Sequence, residues 1–308
     1  MKIVFMGTPD FAVPTLESLM KGGHEVIAAV TQPDKPKGRG KAVLMTPVKE
    51  KALEYDIPVY QPVKARDPEF IALLEEMNPD CIVVVAFGQI LPKAVLDIPK
   101  YGCINVHASL LPKYRGAAPI QWAVIDGEEK SGVTTMLMDE GLDTGDMLEK
   151  IEYVLDENET GGSLFDKLST LGGELILSTL EKIEDGTITR TPQGESVTSY
   201  AKMLQKSMGK IDWSMEAVKI ERLIRGLNPW PSAYTSLKGK TVKIWAAKVE
   251  EGQTTGNPGR VTVTKDKLLV ETGEGFLSIT ELQLEGKKRM ETAAFLRGFT
   301  VEDQSEFE

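Results

Sequence analysis

The sequence predicts an α/β protein: a Rossmann-like, doubly wound, mostly parallel sheet followed by a small C-terminal β-barrel of OB-fold type. Three observations predict it. Over about the first 185 residues, short β-branched runs alternate with helix-periodic stretches, the pattern of a parallel sheet covered by helices on both faces. One of those runs, Asp80-Cys81-Ile82-Val83-Val84-Val85-Ala86, is almost continuously apolar, as a central strand buried on both sides requires. Beyond about residue 206 the pattern changes to five short strands separated by Gly-containing turns, which suits a small antiparallel barrel.

The elements follow in order. Ile3–Met6 is a strand ending at Gly7-Thr8-Pro9-Asp10, and Thr15–Met20 is helical. Val26–Thr31 is the second strand. In Gln32–Lys51, Gly38, Gly40 and the early prolines make the front half a loop rather than an element, and Pro47–Tyr55 is helical. The next helix opens at Asp67-Pro68, with Asp at the N-cap and Pro at N1. Cys81–Ala86, Cys103–His107 and Val133–Met138 are strands. A long helix starts near Ser163, which with Asp166 approximates a capping box; Leu164, Phe165, Leu168, Leu171, Leu175 and Ile176 recur at helical spacing. Residues 188–205 have little periodicity and read as a linker, dividing the chain into domains at 1–187 and 206–308. After it come an amphipathic helix bearing Met215, Val218, Leu223, Ile224 and Leu227, and the strands Ala233–Leu237, Val242–Val249, Arg260–Thr264, Leu268–Glu271 and Phe276–Leu284.

Composition excludes several classes. The chain has 308 residues, 41% hydrophobic and 27% charged, which is ordinary for a globular protein with room for two cores. Cys81 and Cys103 sit singly in apolar runs, so neither a disulfide framework nor a metal site is expected. The N-terminal apolar run is too short for a signal peptide and no segment is long enough to span a membrane, so a cytoplasmic protein without a membrane partner is expected. A net charge of −10 does not advertise a nucleic-acid binder, although local patches can contradict the global sign.

There are two histidines. His24 lies in a turn, Gly22-Gly23-His24-Glu25. His107 ends a strand beside Asn105, and ligands of open α/β sheets bind beyond the carboxyl ends of the strands. Residues two apart in a strand share a face at about 6.6 Å, so an amide and an imidazole can converge on one atom and stabilise a developing oxyanion. Cys103 shares that face, but about 13 Å of extended chain separates it from His107, which argues against a Cys-His-Asn hydrolase. The acidic loop Met138-Asp139-Glu140-Gly141-Leu142-Asp143-Thr144-Gly145-Asp146 could bring a carboxylate to His107; composition alone leaves Asp139, Asp143 and Asp146 equal candidates. Gly7–Ala12 lacks a dinucleotide fingerprint and Pro9 removes an amide donor, so NAD is disfavoured. Lys35, Lys37, Arg39, Lys41, Lys49 and Lys51 against Asp34 and Glu50 make Gln32–Lys51 basic, fit for a polyanionic substrate. Lys202, Lys206 and Lys210 form a weaker basic set.

Several stretches together resemble the folate-dependent formyltransferases, and among them the methionyl-tRNA formyltransferases. They are Gly7-Thr8-Pro9-Asp10-Phe11-Ala12, Gln32–Pro36 with Gly38–Lys41, Gly102–Pro112 continued by Tyr114–Gln121, Gly141–Leu148, Ile211-Asp212-Trp213 and Asn228-Pro229-Trp230-Pro231. Asn105-Val106-His107 with Ser109-Leu110-Leu111-Pro112 and Asp143-Thr144-Gly145 is similar to the pattern shared by all these enzymes. The basic loop and C-terminal part are similar to the tRNA-specific members. Ala108 stands where Gly is common in relatives.

The resemblance implies formyl transfer from 10-formyltetrahydrofolate to the methionine amino group of initiator methionyl-tRNA. Asn105 and His107 would stabilise the oxyanion, and Asp143 would set the protonation of His107 and assist removal of the amine proton. Ser109, Leu110, Leu111 and Pro112 would line the folate site. Lys37, Arg39 and Lys41, with Lys206 and Lys210, would contact tRNA. No metal is implied, and a monomer is expected. A formyltransferase acting on an amino sugar nucleotide or glycinamide ribonucleotide would need neither the basic loop nor the barrel. A non-catalytic binding module is the alternative of a different class.

Overall fold

The computed structural model describes residues 1–37 and 42–308, Lys37 and Ala42 by their main chain alone. Contacts divide the chain into two units. The first comprises Met1–Pro119, Lys130–Val154 and Phe165–Ala201; the second comprises Ile120–Glu129, Leu155–Leu164 and Lys202–Glu308. The expected linker at 188–205 is therefore not a free connection. Thr191 exchanges main-chain hydrogen bonds with Met147, and Ala201 accepts from Ala117 and Ala118 at 2.8 and 3.2 Å, so the stretch packs onto the first unit as far as Ala201. Most of its side chains remain exposed, and its lack of periodicity reflects an irregular backbone held by these bonds.

The first unit is built on a seven-stranded sheet. Its strands are β1 (Lys2–Gly7), β2 (Glu25–Val30), β5 (Val59–Tyr60), β6 (Cys81–Val85), β7 (Cys103–His107), β8 (Lys130–Leu137) and β9 (Met147–Val154), in the order β5-β2-β1-β6-β7-β8-β9. All pairs from β5 to β7 are parallel, and the β7–β8 and β8–β9 pairs are antiparallel. The chain reverses its direction of travel across the sheet between β1 and β6, the switch point where loops from neighbouring strands part and leave a crevice. The sequence pattern missed β9, whose mixed residues alternate only loosely. It also missed a short antiparallel pair, β3 (Lys35–Lys37) with β4 (Ala42–Leu44), inside the segment expected to be a loop.

Helices cover both faces: α1 (Val13–Lys21), α2 (Pro47–Glu54), α3 (Pro68–Met77), α4 (Lys93–Leu96) and α6 (Gly161–Glu184), with α5 (Pro119–Ile125) beyond β7. Val4, Met6, Ile82, Val84 and Cys103 point to one face with Phe70, Leu74 and Val95 from α3 and α4. The opposite face meets α6: an added Cβ at Gly172 would lie 2.9 Å from Val106 Cγ1, and at Gly173 2.6 Å from Ser18 Oγ, so the glycine pair permits close approach. Each fully buried aliphatic or aromatic side chain contributes roughly 1.5–3 kcal/mol. One cap differs from expectation. Thr160, not Ser163, caps α6: Thr160 Oγ1 accepts from Ser163 N and Ser163 Oγ accepts from Thr160 N. Asp67 is the N-cap of α3 with Pro68 in its first turn, as expected, although its carboxylate accepts from Lys64 N and not from the helix.

In the second unit α7 (Ala217–Gly226) accompanies a curled antiparallel sheet of β10 (Ala233–Leu237), β11 (Lys240–Glu250), β14 (Phe276–Leu284), β13 (Leu268–Glu271) and β12 (Val261–Val263), in that order. β15 (Met290–Glu291) pairs with β14 and leads into α8 (Thr292–Gly298). Among the described residues β10 and β12 do not pair, so the expected small barrel is a curled half-barrel. The segment 304–308 bridges the gap, since Gln304 N donates to Val261 O while Glu308 and Ser236 exchange main-chain bonds. Ile220, Ile224, Val242, Leu277 and Phe307 lie in the core of this unit.

Candidate active site

Cys103, Asn105 and His107 alternate onto the face that carries α3 and α4. Cys103, at the start of the strand, is sealed in the core, and burial pushes its thiol up to about 12, with the Asp97 charge adding to the shift. It stays a protonated thiol aimed at Val95 O and takes no part with His107. Toward the other end of β7, Asn105 is half-buried and His107 is 6% exposed.

The His107 ring is hydrogen-bonded on one edge and faces a carboxylate on the other. Nε2 lies 3.0 Å from Tyr114 O, and Nδ1 lies 3.8 Å from Asp143 Oδ1. Tyr114 O can only accept, so Nε2 carries the proton and donates. The other Asp143 oxygen accepts from Gly116 N at 2.9 Å. Asp143 arrives by an indirect route. The acidic loop leaves β8 beside Cys103, where Met138 N donates to Cys103 O at 2.8 Å, and doubles back over the face until Asp143 meets His107. Of the three acidic candidates, Asp139 turns into its own loop, accepting from Gly141 N and Thr144 Oγ1. Among the described residues, Asp143 is the one of the three whose carboxylate approaches the imidazole.

Ser109–Pro112 is internally tied. Ser109 Oγ donates to Lys113 O at 2.7 Å, Leu111 N donates to Thr134 Oγ1 at 3.1 Å, and Lys150 Nζ donates to Leu111 O. Leu111 is fully buried with Met136 and Met147. Leu110 and Pro112 are the members of the four that are half-buried rather than buried.

Several residues the sequence reading passed over frame this site. Phe87 O, in the loop after β6, accepts from Thr8 Oγ1 at 3.1 Å and from Gln32 Nε2 at 3.2 Å, which ties three loops together at the carboxyl end of the sheet. Gly88, three residues after β6, was the available signal. Gln193, Thr198 and Tyr200 come from the supposed linker: Thr198 Oγ1 accepts from Tyr114 N, and burial together with the Asp143 charge pushes the Tyr200 hydroxyl up. No local signal marks them. A cavity of about 430 Å³ lies between α4 and the start of the acidic loop, lined by Leu96, Tyr101, Cys103, Leu137, Met138 and Glu140.

Lys206 and Lys210 are exposed in the second unit, on and just after a short 3₁₀ turn. Arg39, Lys41 and the Lys37 side chain lie outside the described residues. Among the described residues no group of three or more His, Cys, Asp or Glu side chains is placed to hold a metal ion, and no helix is long and apolar enough to cross a membrane.

The formyl transferase family profile matches residues 1–180, and the formyl transferase C-terminal domain profile matches residues 203–300. The chain belongs to this family. A methionyl-tRNA formyltransferase of Agathobacter rectalis is 60% identical over 308 residues, covering 100% of this chain and 99% of the relative. One from Clostridioides difficile is 56% identical over 303 residues, covering 98% of each. Identity at this level along both units makes the chain a member of the methionyl-tRNA formyltransferase group of enzymes. Among solved structures, the sugar 3N-formyl transferase WlaRD, crystallised in the presence of dTDP and 5-N-formyl-THF, superposes with a TM-score of 0.68 at 20% identity, covering 94% of this chain and 99% of that one. At that identity the likeness is one of fold.

Proposed function

We propose that the chain transfers the formyl group of 10-formyltetrahydrofolate to the amino group of methionine carried on initiator tRNA, with Asn105, His107 and Asp143 carrying the chemistry. The observation that supports this best is the His107 ring lying between Tyr114 O, to which it donates, and the Asp143 carboxylate, on the face that Asn105 shares. With Nε2 occupied by Tyr114 O, Nδ1 is the basic nitrogen, and a proton taken up there faces the carboxylate. The Asn105 carboxamide is the donor for the formyl oxygen as negative charge develops on it. The bound folate supplies an activated formyl on nitrogen, so the protein has to position an amine, accept its proton and stabilise an oxyanion. No covalent nucleophile is required, consistent with the inert Cys103.

The residues present suit a folate. Leu110 and Pro112 would face the co-substrate, while Ser109 and Leu111 fix their position. For tRNA, Lys37, Arg39 and Lys41 would hold the acceptor end and Lys206 and Lys210 would meet phosphates farther along. We assign formyl transfer to 1–187 with the packed stretch reaching Ala201, and tRNA contact to 206–308. A monomer working in the cytoplasm, where initiator tRNA is charged, completes the reading.

The test offers the folate donor with methionyl-tRNA, free methionine and amino sugar nucleotides, and identifies the formylated product by mass. Formylated methionyl-tRNA is expected; a formylated sugar in its place would overturn the substrate assignment. Asn105→Ala and His107→Ala are each expected to lower kcat by about 10²–10³ with tRNA affinity retained. Unchanged turnover in both would remove the site assignment. Arg39→Ala is expected to raise KM for tRNA more than for folate, and a loss confined to folate would refute its role.

A further inference from the structure

We propose that Gln193 is a positioning residue of this site, setting the Asp143 carboxylate against His107 by clamping the main chain of the acidic loop. The proposal rests on the catalytic roles given above. Gln193 Nε2 donates to Asp143 O at 2.9 Å and to Gly145 O at 2.7 Å, while Oε1 accepts from Arg115 Nε at 3.0 Å. The amide orientation has no alternative: two carbonyl oxygens can only accept and a guanidinium can only donate. Both amide protons and the carbonyl oxygen are therefore committed, and Arg115 is braced in turn by Gly194 O at 2.8 Å.

The loop needs such a clamp. Asp143 sits at φ 57° and Tyr114 at φ 55°, left-handed conformations that cost a non-glycine residue energy and persist only where neighbours impose them. The two strained residues touch opposite edges of the His107 ring. Asp139 secures the first half of the loop through Gly141 N and Thr144 Oγ1, and Thr191 pairs with Met147 where the loop ends. Gln193 secures the middle, where the carboxylate is. Gly116 N to Asp143 Oδ2, Arg115 to Gln193 and Gln193 to Asp143 O then close a ring of hydrogen bonds around one side chain. Gluing the loop to the surface would require any one of these bonds; bonding both carbonyls flanking the turn fixes where the carboxylate points.

Gln193→Met removes the donors and keeps the length; Gln193→Glu keeps the acceptor for Arg115 but sets an anion against two carbonyls. Both are read in steady-state formylation of methionyl-tRNA, in thermal unfolding, and in amide hydrogen exchange of residues 139–146. The expected result is a kcat about 10- to 100-fold lower, KM for both substrates within about threefold, an unfolding midpoint near wild type, and faster exchange in the loop. Gln193→Met combined with Arg115→Met should be less than additive, because Arg115 acts on the loop through Gln193. A kcat within about twofold of wild type in both variants, or a fall in kcat matched by loss of stability, overturns the proposal. Absence of formyl transfer by the wild-type protein would instead overturn the functional reading.

Discussion

Replacing Asp143 by Asn isolates the charge of one carboxylate from the frame that holds it. The amide oxygen of Asn can still accept the 2.9 Å hydrogen bond from Gly116 N, so the loop keeps its anchor. What disappears is a negative charge 3.8 Å from His107 Nδ1, with the two side chains only 13% and 7% exposed. Two unit charges at that separation interact by ~4 kcal/mol at an effective dielectric of about 20. Each ~1.4 kcal/mol of lost transition-state stabilisation is a factor of ten, so kcat should fall by about 10²–10³, the lower figure allowing for solvent that reaches the loop. The assay is single-turnover formylation with saturating folate donor and methionyl-tRNA, accompanied by thermal unfolding. A rate within about fivefold of wild type, with an unchanged unfolding midpoint, would show that the imidazole works without the carboxylate and would refute the pairing.

Two further outcomes test the scaffold. At Gly132 on β8 an added Cβ would lie 2.1 Å from Ile151 O and 2.6 Å from Leu110 Cδ2, so Gly132→Ala should destabilise by about 1–3 kcal/mol in denaturant unfolding; a neutral result would mean the β8–β9 pair yields freely. Glu271 tests the second unit. Burial pushes its carboxyl up, but donors from Asn257, Thr255 and Gly256 outweigh that and hold it below the usual carboxylate range. A depressed folded value means the contribution is complete above the unfolded pKa of about 4.3 and is lost as pH falls through the folded value. The unfolding midpoint of Glu271→Gln should therefore lie below wild type at neutral pH, with the gap closing under acid; a gap independent of pH would contradict the assignment.

Much of the sheet was legible because strands covered on both faces must be apolar along their whole length, as Cys81–Val85 is. Cys103–His107, Ala233–Leu237, Leu268–Glu271 and Phe276–Leu284 end where the residue pattern ends. Elements whose burial is partial were harder. β9 alternates weakly, and the β3–β4 pair contains two basic residues and a proline. The start of α6 was misplaced because Ser163 has the right chemistry for a cap but serves as the partner of the cap, Thr160.

The amino-acid sequence by itself determined that Asn105 and His107 share a face, since the two-residue period of a strand allows nothing else. It also offered three carboxylates in an acidic, glycine-rich loop that could be brought to His107. Residue pattern left Asp139, Asp143 and Asp146 equal and the family resemblance pointed to Asp143; where its carboxylate sits and how it is held, only the tertiary structure decided. Asp143 meets His107 because its loop folds back along β7 and is clamped by Gln193, a residue of a stretch without periodicity 50 positions away. Such a contact depends on where two irregular segments meet in space, and no local pattern of residues encodes that meeting.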